Sequence, residues 1–141
     1  MKMRGTTALT SFTVGATLVL GGYFVIAPTA RAAQEACSIG NLKGRYVFTG
    51  QGTNQHYGAF EFDGAGKFLG KQTSLRYAGV LHQREAIHGT YTMDADCTGT
   101  MTMEGQLGGT AHWDVFVTAD GKKGRMIRSD AGTQGVRTFE Q

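Results

Sequence analysis

The stretch Gly89-Thr90-Tyr91-Thr92-Met93-Asp94-Ala95-Asp96-Cys97-Thr98-Gly99-Thr100-Met101-Thr102-Met103 writes one pattern, G-T-x-T-M, twice at a spacing of ten residues. Side chains on a strand alternate between its faces, so Tyr91, Met93, Met101 and Met103 share one face and the threonines the other. Between the copies lies Asp94-Ala95-Asp96, residues whose carboxylates bond nearby backbone and so favour a turn. Two period-two segments across a short turn predict an antiparallel β-hairpin with one apolar face.

The same grammar extends in both directions. Beyond Cys37 the apolar residues follow no helical period, and short alternating segments predict eight strands: Gly44 to Gly52, Tyr57 to Asp63, Lys67 to Tyr77, Arg84 to Met93, Thr98 to Gln106, Ala111 to Thr118, Arg125 to Ser129 and Val136 to Glu140. Asp63-Gly64-Ala65-Gly66, Gly108-Gly109 and Ala119-Asp120-Gly121-Lys122 supply further turns. Tyr46 with Phe48, Phe60 with Phe62, and Trp113 with Val115 and Val117 mark inward faces. Two registers stay open, because Lys67 to Tyr77 carries Phe68 on one face and Leu69 and Leu75 on the other, and Met126 adjoins Ile127. Eight strands with one apolar face each must close or stack, and sequential hairpins favour an all-β antiparallel meander closed into a small barrel. Glycines suit its bends. Glu61, His88, Glu104, His112 and Asp114 fall on the outer face, which argues against a barrel bathed in lipid.

Residues 1–33 have a different character. Lys2 and Arg4 precede an apolar run from Phe12 to Ala27 and the small-residue sequence Pro28-Thr29-Ala30-Arg31-Ala32-Ala33, the layout of a secretory signal. The run is diluted by Thr13, Gly15, Thr17, Gly21 and Gly22 and falls short of the roughly 20 residues of a spanning helix. Residues 34–141 are then a single exported domain, periplasmic or extracellular, with no membrane insertion after processing. Of the fourteen basic residues three (Lys2, Arg4, Arg31) lie in the signal, and none of the eleven acidic ones, so eleven of each remain. Without a basic excess the domain lacks the footprint of nucleic-acid binding. Cys37 and Cys97, the only cysteines, read as a disulfide in an exported chain.

Leu42-Lys43-Gly44-Arg45-Tyr46-Val47-Phe48, Phe62-Asp63-Gly64-Ala65-Gly66, the G-T-Y-T…D-C-T-G-T hairpin and Ser129-Asp130-Ala131-Gly132-Thr133, in that order, resemble a group of small secreted bacterial proteins. The resemblance covers nearly the whole of residues 34–141 and is most specific in the hairpin. Its implied shape is similar to the allene oxide cyclase and lipocalin type of barrel, which host an isomerase and many ligand binders. None of the catalytic or ligand motifs of those groups is present, so no functional residue carries over.

Chemistry must therefore be sought in the pattern itself. There is no G-x-S-x-G, and Gly64-Ala65-Gly66 is a hairpin turn rather than a phosphate loop. His56, His82, His88 and His112 sit in no metal-ligand spacing, so solvated surface positions are expected, and neither a metal nor a cofactor is implied. The inward residues Tyr46, Phe48, Phe60, Tyr91, Met101 and Trp113 are the expected lining for a small apolar molecule. Period two from Ile87 also turns Glu85 inward, where a carboxylate could bind or move a proton, and Glu85 and Tyr91 are the catalytic candidates. The readings that follow are a binding module, an isomerase or cyclase that uses the same cavity, and a structural or interaction protein of the cell envelope.

Overall fold

The computed structural model describes residues 36–76, 78–107 and 109–141; the expected signal segment, Tyr77 and Gly108 lie outside them. A short 3₁₀ turn, Ile39–Asn41, precedes eight strands: β1 (Lys43–Gly52), β2 (Gln55–Asp63), β3 (Lys67–Leu75), β4 (Leu81–Tyr91), β5 (Thr98–Gly105), β6 (Gly109–Val117), β7 (Lys123–Arg128) and β8 (Gly135–Glu140). Each pairs antiparallel with the next, and β8 returns to β1, so the sheet is a closed barrel with no free edge. The repeated motif forms the β4–β5 hairpin, with Tyr91 opposite Met101 and Gly89 opposite Met103.

Both open registers resolve by what stands across the sheet. Phe68 is buried opposite Phe62 and Gly89, leaving Leu69 on the outside, and Met126 is buried while Ile127 faces out. Closing eight strands leaves a narrow interior, so a large ring needs an absent side chain beside it. Phe48 stands opposite Gly58, Phe68 opposite Gly89 and Phe139 opposite Gly124. A Cβ at any of the three glycines would collide with the facing ring.

The interior divides into two halves. One is aromatic: Phe62 meets Tyr46 edge-on at 5.2 Å and Tyr91 at 5.1 Å, and Phe60 meets Phe68 at 5.4 Å, geometries that ring quadrupoles favour. The 3₁₀ turn closes this end. Leu42 is fully buried beneath it. The Tyr46 hydroxyl donates to the Gly121 carbonyl at 2.8 Å, and the Tyr91 hydroxyl to the Leu42 carbonyl at 2.9 Å. The Cys37–Cys97 disulfide ties the segment before the turn to the β4–β5 connection, beside a Cys37 N–H bond to the Ala95 carbonyl.

The other half is polar. Between Gln72 and Ser74 the β3–β4 register slips, and Arg84 takes a positive φ of 54° while its N–H bonds the Thr73 hydroxyl. Such a bulge resets the alternation of a strand. Glu85 and His82, three residues apart, consequently both turn inward.

Candidate functional site

The polar half collects Gln72, Ser74, Glu85 and Arg137, all buried, under a rim in which Ser74 stands opposite His56 on one side and His82 on the other. Strand alternation places each of them. Arg137 shares the inward parity of Phe139 on β8, and Gln72 that of Phe68 on β3.

Arg137 is 4% exposed, and its guanidinium lies over two rings, 4.5 Å from the Trp113 centroid and 4.9 Å from that of Phe48. Three glycines make the room. Gly50, directly opposite Arg137, accommodates its stem, Gly58 the Phe48 ring, and Gly135 the edge of Trp113. Arg137 Nη2 donates to Gln72 Oε1 at 3.2 Å and Nη1 to the Met103 sulfur at 3.5 Å. Gln72 Nε2 in turn donates to Glu85 Oε2 at 3.2 Å, and the Leu107 N–H bonds the other Glu85 oxygen at 2.7 Å. Glutamine thus relays between a buried cation and a buried anion that make no direct ion pair.

Bonding at this end is incomplete. Among the described residues, four buried atoms carry no hydrogen-bond partner: Arg137 Nε, Trp113 Nε1, His56 Nδ1 and His82 Nδ1. An orphaned buried polar group costs about 1–3 kcal/mol, so four together are a structural signal. A cavity of about 70 Å³ at the rim has two of these residues, His56 and Trp113, in its wall, together with Arg128, Thr133 and Gly135. Burial pushes the Arg137 guanidinium down to about 9, with the Arg128 charge adding to the effect and Glu85 opposing it, so the group stays cationic at neutral pH. His56 is held down at about 4, first by desolvation and then by Arg137, with Arg128 and Arg76 in the same sense and only Glu85 opposing.

The sequence-predicted residues separate between the two halves. Trp113 and Glu85 belong to the polar end, and Phe48, stacked on Phe60 at 4.2 Å and lying under Arg137, bridges the two halves. Tyr46, Phe60, Tyr91 and Met101 are buried in the aromatic half, where rings pack edge-on against one another. Glu85 and Tyr91 lie six positions apart on β4, about 20 Å of strand, so the barrel does not bring them together. Burial also raises the Tyr91 phenol above its ordinary value, which keeps it a donor to backbone carbonyls. Two histidines depart from the surface expectation, since His56 and His82 turn inward. His88 and His112 do lie outside, against Glu104 at 3.3 Å and Asp130 at 2.7 Å. Asp130 also accepts from Arg128 Nε, and these bonds hold its carboxyl well below the usual carboxylate range.

The barrel is similar to designed proteins. A de novo designed fluorescence-activating β-barrel matches with a TM-score of 0.55 at 10% identity, over 72% of this chain and 94% of its own. The redesigned barrel mFAP1, bound to DFHBI, gives 0.57 at 14% identity over 74% and 98%, and mFAP0, also bound to DFHBI, gives 0.52 at 13% over 72% and 99%. At these identities the likeness concerns the fold alone. No family model and no curated protein matches the chain.

Arg137, Gln72, Ser74 and His82 are the residues that sequence reasoning missed. Parity with Phe139 is the signal available for Arg137, although arginine is a residue type mostly found exposed. His82 carried no such signal, because the bulge shifts its parity relative to Ile87.

Proposed function

We propose that the protein is an exported binding module that takes a small molecule at the polar end of its barrel. The observation that carries this is that two residues with unpartnered buried polar atoms, Trp113 at Nε1 and His56 at Nδ1, wall one rim cavity, with the buried Arg137 guanidinium over the Trp113 ring. A chain that needed only a stable interior would be served by apolar side chains there. Buried Arg137 and Glu85 instead keep that end hydrogen-bonding. The expected apolar ligand is accordingly revised to an amphipathic one, with polar groups toward Trp113 and His56. The disulfide is compatible with an oxidising compartment, which supports export. The designed barrels mFAP0 and mFAP1, similar in fold, hold DFHBI, which is compatible with a small-molecule ligand here.

Trp113 is the only tryptophan of the chain, so its emission reports on this end alone. Titration with DFHBI and a panel of small aromatic and aliphatic acids, amides and alcohols is expected to shift or quench that emission saturably. A flat response across the panel would contradict the reading. Proton chemistry at Glu85 is the weaker alternative, because both carboxylate oxygens already accept hydrogen bonds.

A further inference from the structure

The electrostatics of the polar end narrow the ligand class, on the reading that this end binds a small molecule. The groups that act on the His56 ring are three guanidiniums, Arg137, Arg128 and Arg76, against one carboxylate, Glu85. Glu85 is already engaged by Gln72 and the Leu107 N–H, and Asp130 by His112 and Arg128. The nearest acids are therefore committed. The unpartnered atoms of Trp113 and Arg137 are N–H groups, which can only donate, and each imidazole Nδ1 can donate in one tautomer. Trp113 and His56 share the cavity wall with Arg128, and buried donors in a positive field make a site for an anion.

Size limits the choice further. At about 70 Å³ the cavity holds a few water volumes, enough for one acid group but not for a large ligand body. Trp113 and Gly135 in its wall offer apolar surface beside the donors. A planar acid group on a short apolar body satisfies both demands.

We infer that the ligand is a small organic carboxylate, its acid group held in the cavity by the Trp113 indole N–H and the His56 ring beside the Arg137 guanidinium, its apolar body toward the rim. Arg137 is fixed for this role by the Trp113 and Phe48 rings and by Gln72, so its charge is in place before the ligand arrives, which lowers the ordering cost of binding.

The test compares matched probes on the full domain: benzoate against benzamide, butyrate against butyramide, and sulfate as charge without a body. Trp113 emission gives affinity, and the ¹⁵N–¹H signal of Arg137 Nε reports on the guanidinium directly. The acids are expected to bind at least about tenfold more tightly than their amides, as loss of a charge-assisted bond implies, to outcompete sulfate, and to move the Arg137 Nε signal. Arg137→Lys, which keeps the charge but not the planar fork, should lower benzoate affinity and leave benzamide unchanged. Equal binding of acids and amides, or an Arg137 signal that does not move, would overturn the carboxylate inference while leaving small-molecule binding intact. Binding of sulfate as tight as that of the acids would reduce the site to a bare anion hole. Failure of every probe would remove both readings together.

Discussion

A guanidinium held out of water costs several kcal/mol unless its hydrogen bonds and its charge are answered nearby. Arg137 has answers for its Nη atoms and two ring faces for its charge, but none for Nε. His56 shows the same tension through its protonation. Its folded value is about 4 against an ordinary 6.5, so on lowering pH from 6.5 to 4 the unfolded chain takes up a proton that the folded barrel refuses. Stability is complete above about pH 6.5 and falls through that window, by about 2 kcal/mol at most once the partial exposure of the ring is discounted. Urea unfolding at pH 7 and pH 5 should show this loss, and His56→Gln should abolish most of the difference; an unchanged slope in the variant would place the proton elsewhere. At this scale the sequence was half legible. Glu85 followed from period two, but Arg137 was not singled out, since arginine is a residue type usually found in water.

Among the elements, the strands follow their turns, and the pairing of rings with glycines sets their spacing. Gly58 lies under the Phe48 ring, which in turn lies under Arg137. Gly58→Val is expected to displace that ring, to destabilise the barrel by about 3 kcal/mol, and to change Trp113 emission even where the protein remains folded. A variant with wild-type melting and wild-type emission would show that the ring has room to spare. Strand positions were legible because alternation and turn residues agree over most of the chain. Alternation failed where two apolar residues adjoin, as at Phe68 with Leu69 and Met126 with Ile127, since choosing between them takes a neighbour across the sheet. It failed again at Arg84, where the bulge turns His82 inward and no residue type announces it.

For the whole molecule, the closed end and the polar end are made differently. The 3₁₀ turn, Leu42 and two tyrosine hydroxyls seal one, and the disulfide anchors the segment that forms the seal. In the chain-entropy model, closing a loop of 60 residues contributes about 4 kcal/mol, a large share for a domain of this length. Closure into a barrel was legible from eight one-sided strands in series. The division of its interior was not, because periodicity tells which side chains point inward and not which of them fill one another's space. The most direct measurement is native mass spectrometry of the protein purified from its own host, read before and after incubation with benzoate. The predicted spectrum is a chain starting at Gln34, short by the hydrogens of one disulfide, carrying a small non-covalent adduct that benzoate displaces. A bare chain that stays bare in benzoate and in DFHBI would contradict the account.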